Sequence, residues 1–105
     1  MNAAIAAGLG TVVEMPTTPE RLTADLRELG HRLMQAADRA ATVTEYESRR
    51  RESAQVQLAS SLVWFGTYSI EMGLTWLSSG WTVLARYDRA DMDAVYAERA
   101  DRRAL

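Results

Sequence analysis

Residues 54–85 read AQVQLASSLVWFGTYSIEMGLTWLSSGWTVLA, an apolar run in which Glu71 is the only charge. Along it Val56, Ala59, Val63, Gly66, Ile70, Gly73, Leu77, Gly80 and Leu84 recur at spacings of three and four, the period of one helix face. The small members Ala59, Gly66, Gly73 and Gly80 stand seven apart and are the predicted points of close helix packing. Close approach there recovers dispersion contacts, which offset the roughly 1 kcal/mol that each helical glycine costs relative to alanine. Trp64, Phe65, Met72, Trp76 and Trp81 fall around the other faces, and these five are the predicted partner interface. A helix that is apolar on every side is central to a bundle, covered by another chain, or embedded in lipid.

On the N-terminal side the chain supplies a packing partner. Thr18-Pro19-Glu20 places a hydroxyl at an N-cap, proline at the first helical position and a carboxylate in the positive first turn. Leu22, Leu26, Leu29, Leu33, Ala36, Ala40 and Val43 then alternate at four and three, with charged residues between them. Residues 45–53 carry no apolar face and read as either a polar turn or a solvated helical bridge, of which the turn is expected. Folding back near residue 50 sets Leu22 near Gly80, Leu29 near Gly73 and Ala36 near Gly66, leucine knobs against glycine holes. Residues 1–17, which contain glycines, a proline and threonines without periodicity, are expected to form a flexible arm. Residues 18–105 then form an antiparallel helical hairpin, with a short C-terminal helix or tail after Asp88. A competing reading makes Leu74 to Leu77 and Trp81 to Tyr87 a β-hairpin about Ser78-Ser79-Gly80, because β-formers are dense there.

Composition narrows the chemistry. The net charge is −2, so the chain lacks the basic surface that nucleic acid requires, and no nucleic-acid partner is expected. All twelve basic residues are arginine, and the cluster Arg49, Arg50 and Arg51 reads as a solvated turn. There is no cysteine, which removes disulfides and thiolate metal sites. The single histidine, His31, has Glu28 and Gln35 a turn away on either side, too few ligands for a metal. Glu45 and Glu47 point to different helix faces, Asp88 and Asp91 read as a helix-start cluster, and Glu71 marks an exposed edge. No phosphate loop, nucleophile elbow or dinucleotide fingerprint occurs, so no catalytic residue, metal or cofactor is assigned. The apolar start of the chain lacks a basic n-region and makes a poor signal peptide.

Two segments carry a family resemblance: Pro19-Glu20-Arg21-Leu22 at the first helix, and Tyr87-Asp88-Arg89-Ala90-Asp91 at the close of the second. They resemble the small helical-hairpin substrates of actinobacterial type VII (ESX) secretion, the Trp-X-Gly proteins and their relatives. The resemblance implies pairing of two chains into a four-helix bundle and an export signal formed by Tyr87 and Asp91. The one Trp-X-Gly triplet, Trp64-Phe65-Gly66, departs from the pattern, since it falls inside the predicted second helix and away from the predicted turn.

The expectation is thus an all-α, non-enzymatic interaction protein that pairs through helices with a protein partner, either another copy or a different chain. It is expected in the cytoplasm or outside the cell by a route that needs no signal peptide. A small membrane protein with one apolar helix over 54–85 is the alternative, since Val56 to Leu77 just reaches across a hydrocarbon core.

Overall fold

The computed structural model describes residues 17–104, and the expected N-terminal arm lies almost wholly outside them. Among the described residues there are three helices and no strand: α1 (Pro19–Asp38), α2 (Val43–Trp64) and α3 (Ile70–Ala104). The all-α expectation holds, and both segments of the alternative β-hairpin lie inside α3.

The first helix begins as its sequence dictates. Thr18 is the N-cap, its hydroxyl accepting from the Arg21 amide at 3.1 Å, with Pro19 following in the first turn. Leu22, Leu26, Leu29, Leu33 and Ala36 are buried, but the helix stops at Asp38 and Val43 is 75% exposed. The first reversal therefore occupies residues 39–42, earlier than the expected turn at 45–53. Thr42 caps α2 by accepting from the Glu45 amide at 3.1 Å, while the Glu45 carboxylate reaches back to the Ala41 amide at 3.0 Å. Two otherwise orphaned amides are satisfied this way, so the helix starts where a hydroxyl and a carboxylate stand three apart.

Residues 45–53 are helical because their inward side chains bond to backbone. Ser53 Oγ donates to the Gly30 carbonyl at 2.7 Å, Ser60 Oγ to the Thr23 carbonyl at 3.0 Å, and Arg49 Nη1 to the Ala36 carbonyl at 2.9 Å. A β-carbon on Gly30 would lie 2.6 Å from Gln57 Cγ, so α1 and α2 sit close together. The interface is tight and partly polar, which hid it from a hydrophobic pattern.

The second reversal was not expected. Phe65 closes α2 and Gly66 takes a left-handed φ of 78°, which lets the Thr67 and Tyr68 amides reach back to the Leu62 carbonyl. Glycine is favoured there because a side chain would strain that backbone. Gly66 is thus a turn residue with nothing within 4 Å of its missing β-carbon, and its assignment to close helix packing is corrected. Ser69 then accepts from the Met72 amide at 3.1 Å and starts α3, so the supposed single helix over 54–85 is two. No helix among the described residues is long and apolar enough to cross a membrane.

Two reversals leave α3 antiparallel to α2 and parallel to α1. Gly73 meets Leu22 and Val63, and Gly80 meets Leu29 and Val56. The expected partners are correct as types, while the register is inverted: Leu22 faces Gly73 and not Gly80. Ala59 is buried as expected. No break occurs at Asp88, so the separate C-terminal helix is the end of α3, exposed throughout from Met92 to Ala104.

Leucine at Gly73 would have to displace Leu22 and Val63, a strain of about 1–3 kcal/mol or more. Leu74→Ala removes a partly exposed side chain and should cost well under about 1 kcal/mol. Thermal unfolding monitored by circular dichroism should therefore show a far larger fall in Tm for Gly73→Leu, and equal Tm values would contradict this packing.

Candidate functional site

Where α3 passes the corner between α1 and α2, two arginines and two aspartates form a cluster in which one guanidinium lies over an aromatic ring. Arg49, with a side chain 6% exposed, donates from Nη2 to Asp91 Oδ1 at 2.9 Å and from Nη1 to Asp91 Oδ2 at 3.0 Å. Its guanidinium lies 4.7 Å from the centroid of the Tyr87 ring. Arg39, at the end of α1, adds bonds to Asp91 at 3.0 Å and Asp88 at 2.6 Å. A planar fork matched to a carboxylate and stacked on an aromatic face is the arrangement for which lysine is no substitute. Hydrogen bonding from Arg49 holds the Asp91 carboxylate below its ordinary pKa, against a smaller opposing push from burial, and the bond to Asp91 raises Arg49 in turn.

These residues correct one sequence expectation and locate a second. Arg49 belongs to the core and not to a solvated turn, whereas Arg50 and Arg51 are exposed. Tyr87 and Asp91, the export signal that the resemblance implies, are half-buried and engaged by this clasp. A signal for Arg49 was available, because it precedes Val56 by seven residues and so falls on the buried stripe of α2.

The five predicted interface residues do not gather at one place. Phe65 is 76% exposed and Trp64 58% exposed, both at the α2–α3 reversal. Met72 and Trp76 share the flank of α3 on which Tyr87 meets α2, and Trp76 packs against the core. Trp81 lies on the opposite flank, with Arg32 of α1 5.8 Å from its ring centroid. The five predicted residues leave out Leu58, 59% exposed, which with Leu62 and Phe65 repeats at four and three along α2. Leu58, Leu62, Phe65, Met72 and Trp76 therefore give the α2–α3 hairpin an apolar outer side, interrupted by no charge except Glu71 at the start of α3. Exposed apolar side chains at this density mark association surfaces.

His31 and Glu71 are both exposed. Among the described residues no group of three histidine, aspartate or glutamate side chains is placed to hold a metal. No protein-family model matches the sequence, and no curated protein or solved structure matches it.

Asp91→Asn leaves Arg49 without its charged partner and should destabilise the fold at neutral pH by about 1–3 kcal/mol, between the values for exposed and buried pairs. Because folding depresses the Asp91 pKa, its contribution is present above the unfolded carboxylate value of about 4 and is lost as pH falls through the folded value. Denaturant titrations should show the gap between wild type and Asp91→Asn largest at neutral pH and shrinking on acidification. A gap that stays constant with pH would exclude this role.

Proposed function

We propose that this chain is a non-enzymatic helical interaction protein that buries the outer side of its α2–α3 hairpin against another helical protein, a second copy being the simplest partner. The observation that carries the reading is the exposed, nearly uncharged set Leu58, Phe65 and Met72 on two antiparallel helices. Leaving such a set in water forgoes about 25 cal/mol for each Å² that a partner could cover.

The finer reading is a type VII secretion-associated factor. Trp64-Phe65-Gly66 sits at the reversal between two antiparallel helices, the position that the resemblance calls for, which supports that relationship. On this reading export is independent of a signal peptide, and Tyr87 with Asp91 is the recognition pair. Since both are held by Arg49, recognition of their side chains requires that the clasp yield, or that a partner read only its exposed edge.

Sedimentation velocity of the purified full chain should show a dimer or larger species at micromolar concentration. Phe65→Glu and Leu58→Glu change exposed positions, so they should shift that species to monomer with helicity retained. A wild-type monomer across the concentration range, with both variants indistinguishable from it, would overturn self-pairing. For the secretion reading, folded Asp91→Asn exported at the wild-type level would remove Asp91 from the signal.

A further inference from the structure

On the α1–α2 side of the molecule, away from the hairpin face and the clasp, Arg27, His31, Gln57, Ser60 and Ser61 line a cleft of about 170 Å³. None of the five is acidic and none is apolar. Arg27 and His31 stand four apart on α1, while Gln57, Ser60 and Ser61 fall on adjacent turns of α2. The close approach at Gly30 brings these rows together, with Gln57 packed against that glycine. Two of the polar groups are already oriented: Ser60 Oγ donates to the Thr23 carbonyl, and Gln57 Nε2 donates to Ser53 Oγ, which leaves a second amide hydrogen free.

Charge pairing among the arginines of α1 and its C-cap points to the same place. Arg21, Arg32 and Arg39 each reach a carboxylate, whereas Arg27 pairs with none among the described residues. Its near neighbours are His31 on the same helix and uncharged groups on α2, and Glu28, one position on, is taken by Arg32. An unpaired guanidinium beside an imidazole, an amide and a hydroxyl, in a chain that is acidic overall, is a donor set without an acceptor.

We propose that this cleft binds a small tetrahedral oxyanion of the sulfate or phosphate class. Arg27 supplies the fixed charge, with His31, the free Gln57 amide hydrogen and the Ser61 hydroxyl as further donors. The charged groups facing the cleft are Arg27 and the Arg32-paired Glu28 on α1, while α2 presents no charge from Ala54 to Trp64.

The test is a sulfate titration of the full chain followed by two-dimensional NMR, with ionic strength held constant by sodium chloride. Saturable shifts are expected at the ring of the single histidine, the Gln57 side-chain amide and Ser61. Arg27→Gln should weaken binding by about tenfold or more, the weight of a charge-assisted hydrogen bond, while Arg50→Gln should leave it unchanged. Linear shifts without saturation, equal responses in Arg27→Gln and wild type, or matching shifts with acetate would each overturn the proposal.

Discussion

The fold depends on how closely α3 approaches the leucines of α1. A β-carbon at Gly80 would lie 2.5 Å from Leu29 Cδ2, and one at Gly73 2.6 Å from Leu22 Cδ2, so a side chain at either position requires its leucine to shift. Both contacts are one heptad apart on both helices, which sets a single register. Val63 and Val56 of α2, also seven apart, close the same two layers. The third layer, seven residues further along α1 and α3, is Ala36 and Tyr87, and there Arg49 takes the α2 position. The clasp is thus the polar continuation of the glycine–leucine ladder. A shift of α3 by one turn would move Asp91 out of reach of the Arg49 fork.

The two interfaces of α1 are built differently. Against α2 it contributes backbone carbonyls that Ser53, Ser60 and Arg49 fill, so burial is coupled to directional bonds whose loss leaves unsatisfied groups. Against α3 it contributes leucine side chains, and the interaction is dispersion into glycine hollows with ionic bonds only at the Arg39 end. The first kind of interface specifies alignment, and the second tolerates apolar residues on both flanks of α3. That explains why Met72 and Trp81 remain partly in water on opposite sides of one helix.

Much of this was legible in the sequence, and the failures share a cause. Thr18-Pro19-Glu20 marked the start of α1, the leucine stripe marked its buried face, and Ala59, Gly73 and Gly80 were recognisable as packing positions. Gly66 was misread because it falls in the same seven-residue series, and spacing cannot separate a glycine that admits a neighbour from one that admits a positive φ. The Thr42 and Glu45 pair was a capping signal outweighed by the apolar stripe that runs on to Val43. Arg49 escaped because a hydrophobic pattern treats every arginine as surface, although its spacing put it on the inner face. Placing the first reversal too late and missing the second inverted the direction of α3, and the candidate recognition pair moved from a free end into the clasp.

The parallel register of α1 and α3 is the central claim, since the exposed hairpin face and the clasp both follow from it. Nuclear Overhauser effects from stereospecifically methyl-labelled leucine to glycine α-protons test it directly. Cross-peaks joining Leu22 to Gly73 and Leu29 to Gly80 are the expected result. Cross-peaks joining Leu22 to Gly80 and Leu29 to Gly73 would instead establish the two-helix antiparallel hairpin and contradict this architecture.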